Sequence, residues 1–156
     1  MTPLLAILAT VTLLARLVGL KVPALGSWAA ATRVGLAVMF CITASAHFNS
    51  MRAELVRMVP AGVPAPEVMI TFTGICEFLG AVGLLVPRTR RAAAVALIVF
   101  LIAVLPANIH AARSGLTLRG APVTPLVPRI AGQVLFIALI WWSGIHAERR
   151  RAEGPA

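Results

Sequence analysis

Residues 67–86 read EVMITFTGICEFLGAVGLLV, a run in which charge appears only at Glu67, on the edge, and at Glu77, near the middle. About 20 residues at 1.5 Å rise cross the ~30 Å of a bilayer's hydrocarbon. Pro87 stops the helix, and Arg88, Arg90 and Arg91 follow where an interface would lie. This stretch reads as a transmembrane helix carrying one deep carboxylate.

Outward from it, further apolar runs occupy 3–20, 28–48, 92–111 and 128–145, which makes about five transmembrane helices. Composition agrees: of 156 residues, 60% are hydrophobic and 12% charged, with mean hydropathy +0.94. Soluble domains carry roughly 25% charged residues, and a water-soluble fold of this size has nowhere to hide so much apolar surface. One compact unit fits this length, without a second soluble domain. The first run lacks a positive segment before it, so it reads as a retained helix rather than a signal peptide.

Fourteen basic residues against five acidic ones give a net charge of +9. The arginines fall between apolar runs or in the tail, not along one helical face. That pattern excludes a nucleic-acid footprint and matches orientation signals and contacts to anionic lipid. With five crossings, nine of these cations share one side and five the other. The positive-inside rule then puts the N-terminus outside and the C-terminus inside. Arg33 reads as a lipid or topology anchor at the cytoplasmic end. Residues 49–66 suit a short helix lying in the interface, and 114–128 an irregular loop.

Membrane-depth polar residues gather at one level. His47 ends the second run, Thr73 and Glu77 lie in the third, Asn108 and His110 end the fourth, and Arg129 and Gln133 begin the fifth. With helices alternating in direction, all fall in the outer half. An ionisable group about 15 Å into a membrane helix is a functional-site candidate by default. Glu77 reads either as a proton-accepting or ligand-binding carboxylate, or as a structural one bonded to Arg129 or His47. His47 reads as a relay, a metal ligand or a hydrogen-bond donor to a quinone carbonyl, against a plain surface histidine. Pro106 marks a kink, and Asn108 could satisfy the backbone it frees. Arg129 could bind an anion or pair with Glu77. Three metal ligands are conceivable in His47, Glu77 and His110, but no spacing demands them, and no metal is assigned. Cys41 and Cys76 lie inside apolar runs and form no CxxC.

Four segments, Arg33–Phe48 (RVGLAVMFCITASAHF), Thr73–Pro87 (TGICEFLGAVGLLVP), Leu105–Ala112 (LPANIHAA) and Arg129–Trp142, resemble the DoxX family of small bacterial membrane proteins. The resemblance spans about residues 30–145. It implies a four-helix bundle core in a bacterial inner membrane, to which the first helix is extra. The namesake is a subunit of a thiosulfate:quinone oxidoreductase, and other members accompany thiol redox and oxidative-stress complexes. No cysteine pair stands where a dithiol mechanism would want one.

The expected fold is therefore an all-α membrane protein: an antiparallel four-helix transmembrane bundle over 28–146, one extra N-terminal transmembrane helix within 1–27, and a basic cytoplasmic tail over 147–156. The expected function is a redox-associated subunit holding a quinone or small oxidisable molecule in an outer-leaflet polar pocket. Glu77 and His47 are the catalytic candidates, with Asn108, Arg129, Gln133, Thr73 and His110 binding the ligand. No cofactor and no electron carrier are visible in the chain, so it would need bound quinone or a redox partner protein; a homo-oligomer is the other expected assembly. A membrane scaffold or assembly subunit is the alternative, with its polar cluster as packing glue. A small-molecule transporter is a second alternative, for which five helices are few and no inverted repeat is seen.

Overall fold

The computed structural model describes residues 2–118 and 120–147. Arg119 and the basic tail with Arg149–Arg151 lie outside the described residues. Seven α-helices follow one another: α1 Thr2–Val18, α2 Trp28–Ser45, α3 Arg52–Met58, α4 Pro66–Leu85, α5 Arg90–Ala103, α6 Leu105–Arg113 and α7 Leu126–Trp141. Among the described residues, four spans are long and apolar enough to cross a membrane: Trp28–Phe48, Pro66–Leu85, Arg90–Arg113 and Leu126–His146. They coincide with the four expected runs to within two residues at either end.

α1 is the exception. Its 17 residues cover only about 25 Å at the helical rise, because the chain leaves the helix at Gly19. It lies along α2, where Gly35 lets it come close: a Cβ at that position would land on the Thr12 hydroxyl. At the far end of this seam the Arg16 guanidinium sits 5.5 Å over the Trp28 ring.

Each long helix begins or breaks where its sequence requires. Ser27 caps α2 by accepting from the Ala30 amide at 3.1 Å. Pro66 opens α4 from the first turn, behind Ala65, whose backbone is left-handed at φ 49°. Pro106 brings no N–H and crowds the preceding turn, and the helix breaks at Val104 into α5 and α6. α7 loosens at its end into a π turn over Trp142–His146.

α2 packs against α4, α4 against α5, α5 against α7, and the end of α7 returns to α2. Leu36, Met39, Leu84, Leu97 and Ile140 fill the middle and are shut off from solvent. Phe72, Leu79, Val99 and Val127 point outward, each more than half exposed. A large exposed apolar surface of this kind is a membrane face. Residues 49–66 do contain the expected short helix, α3. The loop after α6 is less irregular than expected, because Thr117–Leu118 pairs antiparallel with Ala121–Pro122. Gly120, at φ 73°, supplies the turn.

Candidate functional site

The polar residues form two separate hydrogen-bonded chains rather than one convergent pocket. The first joins α2 to α4 and is centred on Glu77, which is 5% exposed. One carboxyl oxygen, Oε1, lies 2.5 Å from the Thr43 hydroxyl. The other, Oε2, lies 3.4 Å from His47 Nε2, an ion-pair distance rather than a tight hydrogen bond. His47 Nδ1 is 2.8 Å from the Ile70 carbonyl. A carbonyl only accepts, so Nδ1 carries a proton. With Nδ1–H committed, a single proton accounts for the gap between Nε2 and Oε2. Either the imidazole holds it beside a carboxylate, or Glu77 holds it beside a neutral imidazole.

Thr43 matches both states. With the shared proton in the gap at Oε2, Oε1 accepts from the Thr43 hydroxyl whichever partner holds that proton. The Thr73 hydroxyl bonds back to its own helix, to the Met69 and Ile70 carbonyls at 2.9 and 3.0 Å, and touches His47 Nδ1 at 3.4 Å. Gly74 makes the arrangement sterically feasible. A Cβ there would meet His47 Cβ at 2.6 Å and Cγ at 2.8 Å. α4 therefore presses directly against the turn that carries His47.

Arg52 covers this end of the site. From α3 it donates to the His47 carbonyl at 3.0 Å, and to the Glu67 carbonyl and the Thr71 hydroxyl at 2.8 Å each. One guanidinium thus ties α3 to the end of α2 and the start of α4, using the fork geometry that lysine lacks.

The second chain joins the α5–α6 kink to α7. Arg129 Nη1 donates to Asn108 Oδ1 at 2.6 Å, Asn108 Nδ2 to Gln133 Oε1 at 3.3 Å, and Gln133 Nε2 to the Leu101 carbonyl at 2.5 Å. Pro106 withholds the N–H that would serve the Ile102 carbonyl one turn earlier. Asn108 was the residue expected to satisfy such backbone; it instead bridges Gln133 to Arg129, and Gln133 bonds the neighbouring Leu101 carbonyl.

Among the seven expected site residues, Glu77, His47 and Thr73 come together, and Asn108, Arg129 and Gln133 come together elsewhere. His110 joins neither chain; its ring Nδ1 lies 3.4 Å from the Ser114 hydroxyl at the end of α6. Glu77 takes Thr43 and His47 as partners, not Arg129. Among the described residues no three His, Cys, Asp or Glu side chains gather as a metal site. Arg33 corrects the expectation of a lipid anchor. It is 4% exposed, and its Nη1 donates to the Ser143 carbonyl at 2.6 Å. The π turn widens the helix there and offers that carbonyl to the guanidinium.

Sequence reading gave no site role to Arg52, Gly74, Ile70 or Thr43. Thr43 lies four residues before His47 on one face, which was the available signal. Arg52 works mainly through backbone acceptors, which no side-chain pattern announces.

No curated protein and no solved structure matches the chain. A family model described as "Domain of unknown function (DUF8561)" matches residues 36–144. That stretch runs from within α2 to the π turn, holds all of both polar chains and leaves α1 outside. It covers well over half of the protein, and the chain belongs to the DUF8561 family.

Proposed function

We propose that this protein is a redox-associated subunit of a bacterial inner membrane that binds a quinone or a similar small oxidisable molecule and exchanges a proton with it. The four long spans form an antiparallel transmembrane bundle with α1 as an added fifth span, N-terminus outside and C-terminus inside. The observation that carries the reading is the buried Glu77–His47 pair, in which Oε2 and Nε2 stand 3.4 Å apart while Nδ1 is held by the Ile70 carbonyl. Quinone reduction consumes protons beside electrons, so a proton that can sit on either partner at no change of geometry is what that chemistry uses. The electrons come from a redox partner protein, since the chain carries no visible electron carrier of its own. The resemblance to DoxX proteins supports the same reading.

An apolar groove on α2, which neither Glu77 nor His47 lines, has the character to take an apolar ring. A cavity of about 320 Å³ opens along α2 and is lined by Ala37, Val38, Cys41, Ile42, Ser45 and Leu85.

The second reading is a scaffold in which the pair only locks α2 to α4. It is favoured by one observation: both carboxyl oxygens of Glu77 and both ring nitrogens of His47 already have protein partners. Glu77→Gln separates the two, because it keeps size and hydrogen bonding but holds no mobile proton. Small molecules extracted from the protein in native lipid nanodiscs are quantified by mass spectrometry. Near-stoichiometric quinone in the wild type that falls in Glu77→Gln supports the redox reading. No enrichment over the surrounding lipid in either sample leaves the scaffold.

A further inference from the structure

The end of the bundle away from α3 carries all the tryptophans of the chain. Trp28 opens α2, and Trp141 and Trp142 stand where α7 passes into its π turn. The Arg33–Ser143 bond and the seating of Gly144 on Ala94 hold these helix ends together. Arg16 and Lys21 lie at the α1–α2 turn, and Arg88 and Arg91 at the α4–α5 turn. Glu54, Glu67 and Glu77 all stand toward the α3 end, and among the described residues no carboxylate lies at this one. Tryptophans and cations gathered at one level mark a membrane–water interface.

Arg16 is the cation of this end that the fold fixes in place without satisfying. Its Nε is closed off and has no hydrogen-bond partner. The guanidinium lies 5.5 Å over the Trp28 ring, and among the described residues no carboxylate pairs with it. Nη1 and Nη2 bond nothing in the protein either, but they are not enclosed. They form a two-pronged edge facing outward, the shape that a phosphate or carboxylate takes in bidentate fashion.

The turn behind it is tight. Gly19 leaves α1 against the Leu25 carbonyl, where any Cβ would collide, and Ser27 caps α2 immediately before Trp28. Trp28 is thereby set beside α1, and its ring face holds the guanidinium. Leu13, three residues before Arg16 on the same side of α1, is more than half exposed, as is Trp28. An anion that reaches Nη1 and Nη2 therefore meets an apolar, membrane-facing surface. Arg33, the cation expected to meet lipid, is engaged inside the bundle; Arg16 is the one left facing out.

We propose that the Arg16–Trp28 corner binds the phosphate of an anionic glycerophospholipid, with Nη1 and Nη2 on the phosphate oxygens and an acyl chain along Leu13. Charge complementarity names the head group, and the exposed leucine beside it calls for a chain. Lys21, exposed in the same turn, disfavours a zwitterionic head by repelling its choline. The inference uses no residue of the Glu77–His47 pair and does not rest on the redox reading.

Native mass spectrometry of the full-length protein in non-ionic detergent, with phosphatidylglycerol and phosphatidylcholine offered in equal amounts, tests it. Wild type should retain one phosphatidylglycerol over phosphatidylcholine by about fivefold or more, the scale of one cation at an anionic lipid. Arg16→Gln should lose that preference, and Arg16→Lys, which keeps the charge without the fork, should keep part of it. Arg88→Gln removes an exposed cation of the same end from a different turn, and should leave the retained lipid unchanged. Inorganic phosphate and polyglutamate should not displace the lipid, since neither brings an acyl chain. Equal retention of the two lipids by wild type overturns the proposal, and that measurement needs no variant to fold. Arg16→Gln retaining phosphatidylglycerol like wild type overturns it too. So does an equal loss in Arg88→Gln, which would mean diffuse attraction instead of a site. Displacement by inorganic phosphate or by polyglutamate would assign the edge to a soluble anion or an acidic protein, and overturns it as well.

Discussion

Gly74→Ala is the smallest change that should open the Glu77–His47 pair. The added Cβ would stand 2.6 Å from His47 Cβ, 2.8 Å from His47 Cγ and 2.9 Å from Phe48 Cε2. Non-bonded carbons rest at about 3.5–4.0 Å, so the turn carrying His47 must retreat by roughly 1 Å. His47 cannot avoid this by turning its ring. The obstructed atoms are next to its backbone, and the ring is tied to the Ile70 carbonyl. Overpacking of this kind costs about 1–3 kcal/mol, or roughly five- to more than a hundred-fold in the folding equilibrium. The retreat also carries Nε2 away from Oε2, already 3.4 Å apart, beyond any direct contact. Unfolding by SDS titration in mixed micelles measures the cost, and quinone retention in nanodiscs measures the effect on the pair. Gly62→Ala is the control, since nothing lies within 4 Å of the Cβ it would add. It should cost less and leave quinone retention intact. A Gly74→Ala protein within about 0.5 kcal/mol of wild type, with its quinone retained, would refute the reasoning, because ordinary surface changes stay inside that range.

Three further outcomes are expected. Arg52→Ala removes the guanidinium that ties α3 to two other segments, and should destabilise by about 1–3 kcal/mol while speeding amide hydrogen exchange in α3 more than in α5. Ala65→Gly relieves a left-handed backbone at φ 49° and should stabilise by about 0.5–1 kcal/mol, read as a raised melting temperature in detergent. Gln133→Leu leaves the Leu101 carbonyl without its donor inside the bundle, and should cost about 1–3 kcal/mol in the same SDS titration.

The long helices were legible because the bilayer imposes a length and a polarity on each span, and both are written in single residues. The run at 67–86 and the span Pro66–Leu85 differ by one residue at each end. α1 was read as a full crossing because its apolar run was taken over 3–20, whereas the backbone leaves the helix at Gly19. Position along each helix was readable as well, and on it rested the expectation that His47, Glu77, Asn108 and Arg129 share one level. Pairing was not. Which face of a helix meets which neighbour depends on the order of packing, and here α4 meets α2 and α5 while α7 meets α5 and α2. That order keeps Glu77 with Thr43 and His47, and Arg129 with Asn108. Arg33 was misread for a related reason. A cation near a helix end usually reaches outward to lipid, but the π turn of α7 offers it an inward carbonyl instead.

Redox-triggered infrared difference spectroscopy on the quinone-loaded protein addresses the central claim most directly, because it watches the proton on Glu77. If the Glu77–His47 pair exchanges its proton with the bound ligand, electrochemical reduction should produce a carboxyl C=O difference band that shifts in D₂O and disappears in Glu77→Gln. Identical difference spectra from wild type and Glu77→Gln would contradict the account and leave the pair a lock between α2 and α4.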